Sequence, residues 1–362
     1  MNAQRLDIDV TRPSRLALLG SGTVGSAFVA RYLALQAGGA TLPNFHWLAN
    51  SRAALECTNG PAQSLARVRS APSRTAAAPT WAQSEVLRAG DVIVDATASE
   101  RVAAEHAGWV TQGVHVVTAN KLGQGAQLER AQQIHRGCTD SGAVYGDSAT
   151  VGAGLPLLSS LRALVEGGDR IHRIEGVLSG SLAWLFNRYD GRQPFSVAVR
   201  EAVAAGYTEP DPREDLSGED VRRKLLILAR ACGLAMDASQ VQVTSLVPAG
   251  LAALSSAEAL AQLQLLDAGI HARWRQAEDA GRRLRFIGCI ERGTAQVGLQ
   301  ALPVDHPLAL GAGTDNRVAI HSDRYREQPL LIQGPGAGAE VTAAALLDDV
   351  LRIARTSIGG GR

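Results

Sequence analysis

The chain has 362 residues, of which 46% are hydrophobic and 20% charged, and its formal net charge is +1. This length suits two domains, and this composition is that of an ordinary globular protein. The balanced charge and the 4% aromatic content predict neither a nucleic-acid nor a membrane partner. The four scattered cysteines predict reduced thiols in a cytoplasmic protein, with neither a disulfide framework nor a zinc site.

A unit of strand, glycine turn, helix and strand opens the chain. Short apolar runs predict strands at 16–19, 45–49, 91–97 and 115–120, and helical spacing predicts helices at 26–36, 100–112 and 124–135. Residues 59–80 are rich in Pro, Ser, Ala and Arg and predict loop with some irregular helix. Alternating strands and helices imply an α/β domain whose parallel sheet carries helices on both faces.

The turn after the first strand has the GxGxxG spacing, with Gly20, Gly22 and Gly25. The first glycine permits a tight turn, the second allows a pyrophosphate to approach, and the third allows helix and strand to pack closely. Thr23 and Val24 then begin a helix whose N–H groups and dipole favour a phosphate. A glycine turn alone can be structural, but this context predicts a Rossmann-type dinucleotide-binding domain.

The end of the second predicted strand bears on the choice between NAD and NADP. An acidic residue in this region holds the adenosine ribose in many NAD-binding proteins, whereas this chain has Ala49, Asn50, Ser51 and Arg52. Arg52 could hold a 2′-phosphate, which favours NADP over NAD. The alternative is that Arg52 is a solvated surface charge.

The pattern changes after about residue 143. Helices are predicted at 152–166, 219–232, 255–266 and 270–282, and strands at 173–178, 284–290, 296–302, 317–321 and 329–333. This order predicts an α+β domain with a mixed sheet. Residues 334–355 predict a glycine loop and a closing helix.

The acidic stretch 206–224 is the most informative part of this second half. Its two prolines argue against helix before Ser217, which we predict to cap the next helix in a capping box with Asp220. That helix would bury one apolar stripe and place Asp220 beside Lys224, four residues on. The stripe comprises Val221, Leu225, Leu228 and Cys232. The acidic side chains could clamp an ammonium group and tune one lysine, or form a solvated loop with a surface ion pair.

Stretch 206–224 also resembles the signature of homoserine dehydrogenases. Further matches follow in chain order at 118–121, 150–156, 175–182, 334–338 and 341–344. The resemblance covers about residues 14–357 and includes the monofunctional enzymes and the dehydrogenase half of bifunctional aspartokinase–homoserine dehydrogenases. We therefore expect neither a kinase domain before it nor a regulatory domain after it.

The resemblance implies that aspartate 4-semialdehyde is reduced to homoserine with NAD(P)H, in threonine and methionine biosynthesis. Lys224 would be the general acid, with Asp220 orienting it, and Lys121 would polarise the substrate oxygen and contact the cofactor. The proton could pass directly or through a water. Residues implied to bind the substrate are Glu209, Asp215, Tyr207, Gly180 and Ser181, and those implied to bind the cofactor are Thr97, Ser99, Asn120, Gly338 and Thr342.

The same resemblance implies the domain layout and two further features. Residues 1–147 with 334–362 would form the cofactor domain, and 148–333 the substrate and dimerisation domain of a homodimer. Backbone carbonyls of Val151, Ala153 and Leu155 would bind Na⁺ or K⁺. Ser148 stands where the family usually has a carboxylate that helps to bind this cation.

Two rival functions remain to be compared. An aspartate-semialdehyde dehydrogenase would need a cysteine nucleophile, and none of the four cysteines lies in a motif near a base. A non-catalytic NADP-binding sensor on the same fold is the alternative, because fold does not determine function. Turnover of NADPH with aspartate semialdehyde separates the enzyme from the sensor.

Overall fold

The computed structural model describes residues 14–72 and 87–359. The predictions for residues 1–13 and 73–80 therefore lie outside the described residues. The chain forms two compact units, which divide between Gly154 and Leu155 and again between Ala337 and Gly338. The segment from Gly338 onward belongs to the same unit as the residues up to Gly154. The expected boundaries, 147/148 and 333/334, lie a few residues away.

The predicted strands and helices appear in the predicted order. The strands are β1 (Arg15–Leu19), β2 (Asn44–Ala49), β3 (Ala54–Glu56), β4 (Val92–Asp95), β5 (His115–Thr118), β6 (Tyr145–Gly146), β7 (Ile171–Val177), β8 (Val241–Val243), β9 (Arg282–Glu291), β10 (Thr294–Pro303), β11 (Asp315–Ser322) and β12 (Leu330–Pro335). The helices are α1 (Thr23–Ala37), α2 (Pro61–Ser70), α3 (Glu100–Thr111), α4 (Leu128–Ser141), α5 (Leu157–Glu166), α6 (Gly180–Arg188), α7 (Phe195–Ala204), α8 (Arg213–Leu216), α9 (Glu219–Ala231), α10 (Ala249–Ala252), α11 (Ser256–Ala261), α12 (Asp267–Asp279) and α13 (Ala339–Gly359). The structure thus adds β3, β6, β8, α6, α7, α8 and α10, which were not predicted. None of these described helices is long and apolar enough to cross a bilayer.

The first unit contains a sheet of order β3-β2-β1-β4-β5-β6. Strands β1, β2, β4, β5 and β6 pair in parallel, and the short edge strand β3 is antiparallel to β2. Leu16 and Leu18 pack on one face with residues of α1, α2 and α13, whereas Ala17 and Leu19 pack on the other with residues of α3 and α4. The predicted helix-covered parallel sheet is confirmed, with β3 as its antiparallel exception.

Helix α2 shows where local pattern failed in this unit, because residues 59–80 predicted mostly loop. Pro61 occupies its first turn, where a missing N–H costs little, and Ser64 and Val68 share its buried side. A buried stripe with a proline and a serine is hard to recognise from hydropathy. Helix α4 also begins later than predicted, at Leu128, because residues 120–127 form a loop.

The second unit contains a sheet of order β12-β11-β7-β9-β10-β8. Its pairs are antiparallel except β8 with β10, which confirms the mixed sheet. Val221 and Leu225 of α9 pack against Gly288 of β9, where an added Cβ would lie 3.2 Å from each side chain. Thus α9, which carries Lys224, is seated on the sheet by its apolar stripe.

The predicted capping box at the start of α9 is wrong. Gly218, with φ of +81°, holds the cap position of the helix and has no side chain to cap it. From one residue further back, Ser217 Oγ accepts the N–H of Glu219 at 3.2 Å. Ser217 instead follows the short helix α8, and its hydroxyl donates to Glu214 O. Pro212 does not prevent α8, because it precedes the helix where no N–H is required. Val221, Leu225 and Leu228 are buried as predicted, but Cys232 ends the helix half-buried.

Candidate active site

The glycine loop between β1 and α1 has no room for side chains at two of its three glycines. A Cβ on Gly25 would lie 2.0 Å from Gly20 O, and a Cβ on Gly20, whose φ is +108°, would lie 2.8 Å from Ala96 O. A Cβ on Gly22 would meet nothing within 4 Å, so this glycine leaves open space above the loop. Helix α1 starts at Thr23 without a capping side chain or an acidic first-turn residue. Its first N–H groups therefore suit a bound anion.

The end of β2 is held beside this loop by Asn50. Its Oδ1 accepts the N–H of Arg52 at 2.7 Å, and its Nδ2 donates to Ser21 Oγ at 2.9 Å. Arg52 donates to the carbonyl of Arg69 at 3.1 Å, and Arg69 donates to Ser26 Oγ in the first turn of α1 at 3.3 Å. Two guanidinium groups thus lie beside the glycine loop. Arg69 was missed because it lies in α2, within a stretch for which the sequence predicted only loop with some irregular helix.

The ends of β4 and β5 carry the predicted nicotinamide-side residues. Thr97 Oγ1 accepts the N–H of Ser99, and Ser99 Oγ caps α3 by accepting the N–H of Val102. Asn120 is 2% exposed, and its amide donates to Asp95 Oδ2 and to Ser99 O, both at 2.9 Å. The Asn120 side chain is thus used inside the protein. A contact between Asn120 and the cofactor would therefore be made by its main chain, and this contact stays a prediction.

A buried hydrogen-bonded network lies beneath these strand ends and was not predicted. His106 of α3 and Asp95 at the end of β4 both have fully buried side chains, and His106 Nε2 lies 3.0 Å from Asp95 Oδ2. His106 Nδ1 lies 2.9 Å from Tyr145 Oη. Asp95 Oδ1 also accepts the N–H of Thr97 at 2.8 Å. The sequence contains no local motif for this network, because Asp95, His106 and Tyr145 lie in three separate elements, β4, α3 and β6.

The C-terminal segment completes the first unit. Gly338, with φ of +128°, precedes α13, and its carbonyl accepts both the N–H and the hydroxyl of Thr342. Helix α13 packs on α1, whose N-terminus follows the glycine loop. Gly338 and Thr342 therefore belong to the unit that carries the glycine loop, as expected.

The segment expected to bind a cation turns sharply at Gly152 and Ala153, with φ values of +73° and +51°. Ser148, which replaces the expected carboxylate, donates its N–H and hydroxyl to Asp349 at 3.0 and 2.9 Å. Burial raises the pKa of Asp349. In residues 14–72 and 87–359, no three or more His, Cys, Asp or Glu side chains are grouped to hold a metal ion. The carbonyl site at Val151, Ala153 and Leu155 stays a prediction.

Lys224 is the central side chain of the second unit. It projects from α9 and is only 8% exposed. Its Nζ lies 2.7 Å from Asp220 Oδ2 and donates to Leu178 O, just after β7, also at 2.7 Å. The predicted neighbourhood of Asp220 and Lys224 on one helix face is therefore present. The carboxylate and the carbonyl orient the amine within a largely buried setting.

Asp215 joins several residues of the predicted substrate group. Its Oδ1 accepts the hydroxyl of Ser181 at 2.7 Å, and its Oδ2 accepts the N–H of Glu209 at 2.9 Å. The Ser181 and Ser179 hydroxyls lie 2.9 Å apart, at the start of α6. A carboxylate has about four acceptor positions, so Asp215 keeps capacity for a further donor.

The remaining members of this group differ in setting. Tyr207 is 45% exposed, and its ring centroid lies 5.1 Å from that of Trp184. Gly180 lies against Thr314 O, which an added Cβ would approach to 3.2 Å. Asp211 is paired with Arg213 at 2.6 Å, and this partner lowers the pKa of Asp211. Asp211 therefore holds the loop, whereas Asp215 faces the serines of α6.

Composition sharpens the interpretation of the lysines. Of the 36 lysine and arginine side chains in the chain, only Lys121 and Lys224 are lysines. Both are predicted site residues. Arginine stays protonated at accessible pH, whereas a buried lysine can release its proton. A chain that otherwise uses arginine thus has lysine at the two positions where proton transfer or carbonyl polarisation is expected.

Comparisons with known proteins agree with this arrangement. A family model described as homoserine dehydrogenase matches residues 156–351, and one described as homoserine dehydrogenase, NAD binding domain, matches residues 20–143. A homoserine dehydrogenase from Emericella nidulans is 34% identical over 371 residues, covering 95% of this chain and 99% of that protein. A solved Candida auris protein of unknown function has a TM-score of 0.81 and 34% identity, covering 95% of this chain and 98% of its own.

The chain also matches part of larger proteins. A chloroplastic bifunctional aspartokinase/homoserine dehydrogenase from Zea mays is 46% identical over 266 residues, or 73% of this chain. The match covers 29% of that relative, so the chain spans under a third of the bifunctional proteins that it resembles. The full-length match to the fungal enzyme and the two family models lead to one conclusion: this chain belongs to the homoserine dehydrogenase family, a family of NAD(P)-dependent oxidoreductases.

Proposed function

We propose that this chain catalyses the reversible NAD(P)H-dependent reduction of aspartate 4-semialdehyde to homoserine, a step toward threonine and methionine. The observation that carries the proposal is the buried amine of Lys224, held by Asp220 and by Leu178 O. Asp215, in the helix just before α9, bonds to Ser181 and to the main chain of Glu209. An oriented acid and an anionic anchor are what reduction of an amino-acid aldehyde requires.

NAD(P)H, when bound, supplies the hydride that reaches the aldehyde carbon. Lys224 gives its proton to the aldehyde oxygen, directly or through one water, and regains a proton from solvent afterwards. Asp220 and Leu178 O keep Nζ aimed during this transfer. Lys121, in the first unit, has the proposed roles of polarising the substrate oxygen and of contacting the cofactor.

The substrate is held through the charged groups on its α-carbon. Asp215 and Glu209 receive the ammonium group, and Asp215 has acceptor capacity left beyond its bonds to Ser181 and to Glu209 N. Ser181 and Gly180, in the first turn of α6, and Tyr207 line the rest of the pocket. The aldehyde is thereby presented to the acid in one orientation, which lowers the entropy cost of reaction.

A thioester mechanism has little support. Burial raises the pKa of Cys232 to about 12 and of Cys138 to about 11, and it also raises the pKa of Cys57 and of Cys289. The thiolate form that an aspartate-semialdehyde dehydrogenase needs is therefore disfavoured at all four cysteines.

NADP is the proposed cofactor in preference to NAD. Arg52 and Arg69 lie beside the glycine loop through their bonds to Arg69 O and Ser26 Oγ, and both could reach a 2′-phosphate. Arg52→Ala and Arg69→Ala should each raise KM for NADPH about 10-fold, the loss of one charge-assisted bond, and leave KM for NADH within about 2-fold. Equal effects on both cofactors would contradict this assignment.

Three further features are proposed: a homodimer, a monovalent cation site and a cytoplasmic location. Among the described residues, β12 and β8 lie at the two edges of the second sheet, and Leu331 of β12 is 38% exposed. These edges favour a homodimer through the second sheet. The turn at Gly152 and Ala153 favours a Na⁺ or K⁺ site on nearby carbonyls. The four free cysteines favour a cytoplasmic location.

The activity is tested by following NADPH oxidation on addition of aspartate 4-semialdehyde, with NADPH binding measured in parallel. The wild type should turn over, and Lys224→Ala should bind NADPH normally while losing about 10³-fold in kcat. Arg223→Ala, one residue away on α9, is the matched control and should stay active. A wild type that binds NADPH but turns over no aldehyde would favour the sensor instead.

A further inference from the structure

The loop that carries Lys121 rests on the buried network of Asp95, His106 and Tyr145. Asn120 Nδ2 donates to Asp95 Oδ2 and to Ser99 O, while Asn120 Oδ1 accepts the N–H of Leu122 at 3.1 Å. The side-chain amide of Asn120, the residue before Lys121, thus binds the main chain of Leu122, the residue after it. That amide is held by the carboxylate to which His106 also binds.

Close packing ties the network to the same loop from the other side. Gly123, two residues after Lys121, is buried, and an added Cβ would lie 2.1 Å from Tyr145 Oη and 2.9 Å from His106 Nδ1. Arg130 donates to Leu122 O at 2.9 Å. The loop therefore cannot shift without disturbing either the histidine and tyrosine or the Asn120 amide.

The hydrogen-bond directions in the network follow from its chemistry. Burial raises the pKa of Tyr145 well above its ordinary value, so its hydroxyl keeps its proton and can donate to His106 Nδ1. The Nε2–H of His106 then donates to Asp95, whose carboxylate also receives Asn120 Nδ2 and the N–H of Thr97. Every polar atom of the imidazole is satisfied without solvent, as buried polar groups require.

We propose that His106 is a positioning residue for Lys121: by anchoring Asp95 and Tyr145, it fixes the loop 120–123 that presents the lysine to the substrate oxygen. The inference rests on the proposed function of Lys121 for its catalytic consequence. Its structural part, the dependence of the Lys121 environment on His106, stands separately. Networks in which every member is satisfied hold a unique arrangement, and removing one member loosens the others.

The small number of lysines makes a direct test possible. In protein labelled with ¹⁵N-lysine, only Lys121 and Lys224 contribute side-chain Nζ signals, and Lys121→Ala and Lys224→Ala assign them. His106→Leu should shift or broaden the Lys121 signal and leave the Lys224 signal in place. His106→Gln, whose amide can still donate to Asp95, should restore the Lys121 signal in part.

Steady-state kinetics gives the second readout. His106→Leu should lower kcat about 10- to 30-fold, the usual result of a misplaced catalytic group, with Kd for NADPH changed less than about 3-fold. His106→Gln should recover most of this loss. His115→Gln is the matched control, because His115 is also a buried histidine of the first unit but lies at the opposite end of β5.

An unchanged Lys121 signal in His106→Leu, or an equal effect from His115→Gln, would overturn the positioning role. If Lys121→Ala keeps wild-type kcat, the proposed function of Lys121 fails, and the signal shift still decides whether His106 positions the loop. The two failures are therefore distinguishable.

Discussion

The two units place charge in the protein interior in contrasting ways. In the first, the buried carboxylate of Asp95 receives N–H donors from His106, Asn120 and Thr97, and its role is to hold loops. In the second, the buried amine of Lys224 is held by Asp220 and by Leu178 O. Under the proposed function, the first unit holds the cofactor and places Lys121, whereas the second unit supplies the general acid Lys224. Changes in the first should alter binding and placement, and changes in the second should alter the reaction.

The largest expected effect comes from replacing each lysine by arginine. Arginine keeps the positive charge but does not release a proton at accessible pH. Lys224→Arg should lose about 10³-fold in kcat, the scale of general acid catalysis. Lys121→Arg should lose only about 10-fold, because polarisation needs charge more than a proton. Steady-state assays with NADPH and aspartate 4-semialdehyde measure both. Similar losses of kcat in Lys224→Arg and Lys121→Arg would contradict the assignment of different roles to the two lysines.

The next effect is on stability and concerns His115, whose pKa burial lowers to about 4. The folded protein keeps this imidazole neutral, while the unfolded chain takes up a proton below pH of about 6.5. The stabilisation is complete above that pH and is lost as pH falls toward 4, by about 2–3 kcal/mol.

Chemical denaturation at pH 7 and pH 4.5 checks this expectation. His115→Gln should remove that part of the pH dependence, and His135→Gln, at an exposed position of α4, serves as the comparison. If the two variants have the same pH dependence as the wild type, His115 does not contribute.

A smaller effect is expected at the glycine loop. Gly22→Ala adds a methyl group that meets no protein atom within 4 Å, so folding should be unaffected. The methyl would occupy the space left for the pyrophosphate, and Kd for NADPH should rise roughly 30-fold, or about 2 kcal/mol. Gly108→Ala on α3, which also meets nothing within 4 Å, is the control. Calorimetric titration with NADPH would detect the difference, and an unchanged Kd would argue against a cofactor at this loop.

The smallest predicted change separates two carboxylates of the acidic stretch 206–224, Asp211 before α8 and Asp215 within it. Asp215→Asn should raise KM for aspartate 4-semialdehyde roughly 10-fold, because a charged partner of the ammonium is lost. Asp211→Asn should leave KM within about 2-fold, since Asp211 is paired with Arg213 and only holds the loop. Initial rates over a range of aldehyde concentration give both values. A larger KM effect at Asp211 would reverse the two assignments.

Local pattern was sufficient for the features that depend on neighbours in the chain. The GxGxxG spacing, the buried strands and the i, i+4 relation of Asp220 and Lys224 all appear as predicted. Weaker patterns gave partly wrong predictions. Residues 59–80 predicted loop with some irregular helix rather than the regular helix α2, whose buried side includes a proline and a serine. Ser217 was predicted to cap α9, but Gly218 holds that position.

Sequence alone thus determined the fold class, the family and the two lysines, because strand and helix periodicity, glycine spacing and the acidic signature are all written within short stretches. The tertiary structure alone decided that Arg69 lies beside Ser26, that Asp215 rather than Asp211 faces Ser181, and that His106 links Asp95 to Tyr145. These contacts join residues far apart in the chain, and only the packing of helices on a sheet brings such residues together. The glycine loop can be recognised from its spacing in the sequence, whereas the role of His106 can be inferred only from its contacts with Asp95 and Tyr145 in the folded protein.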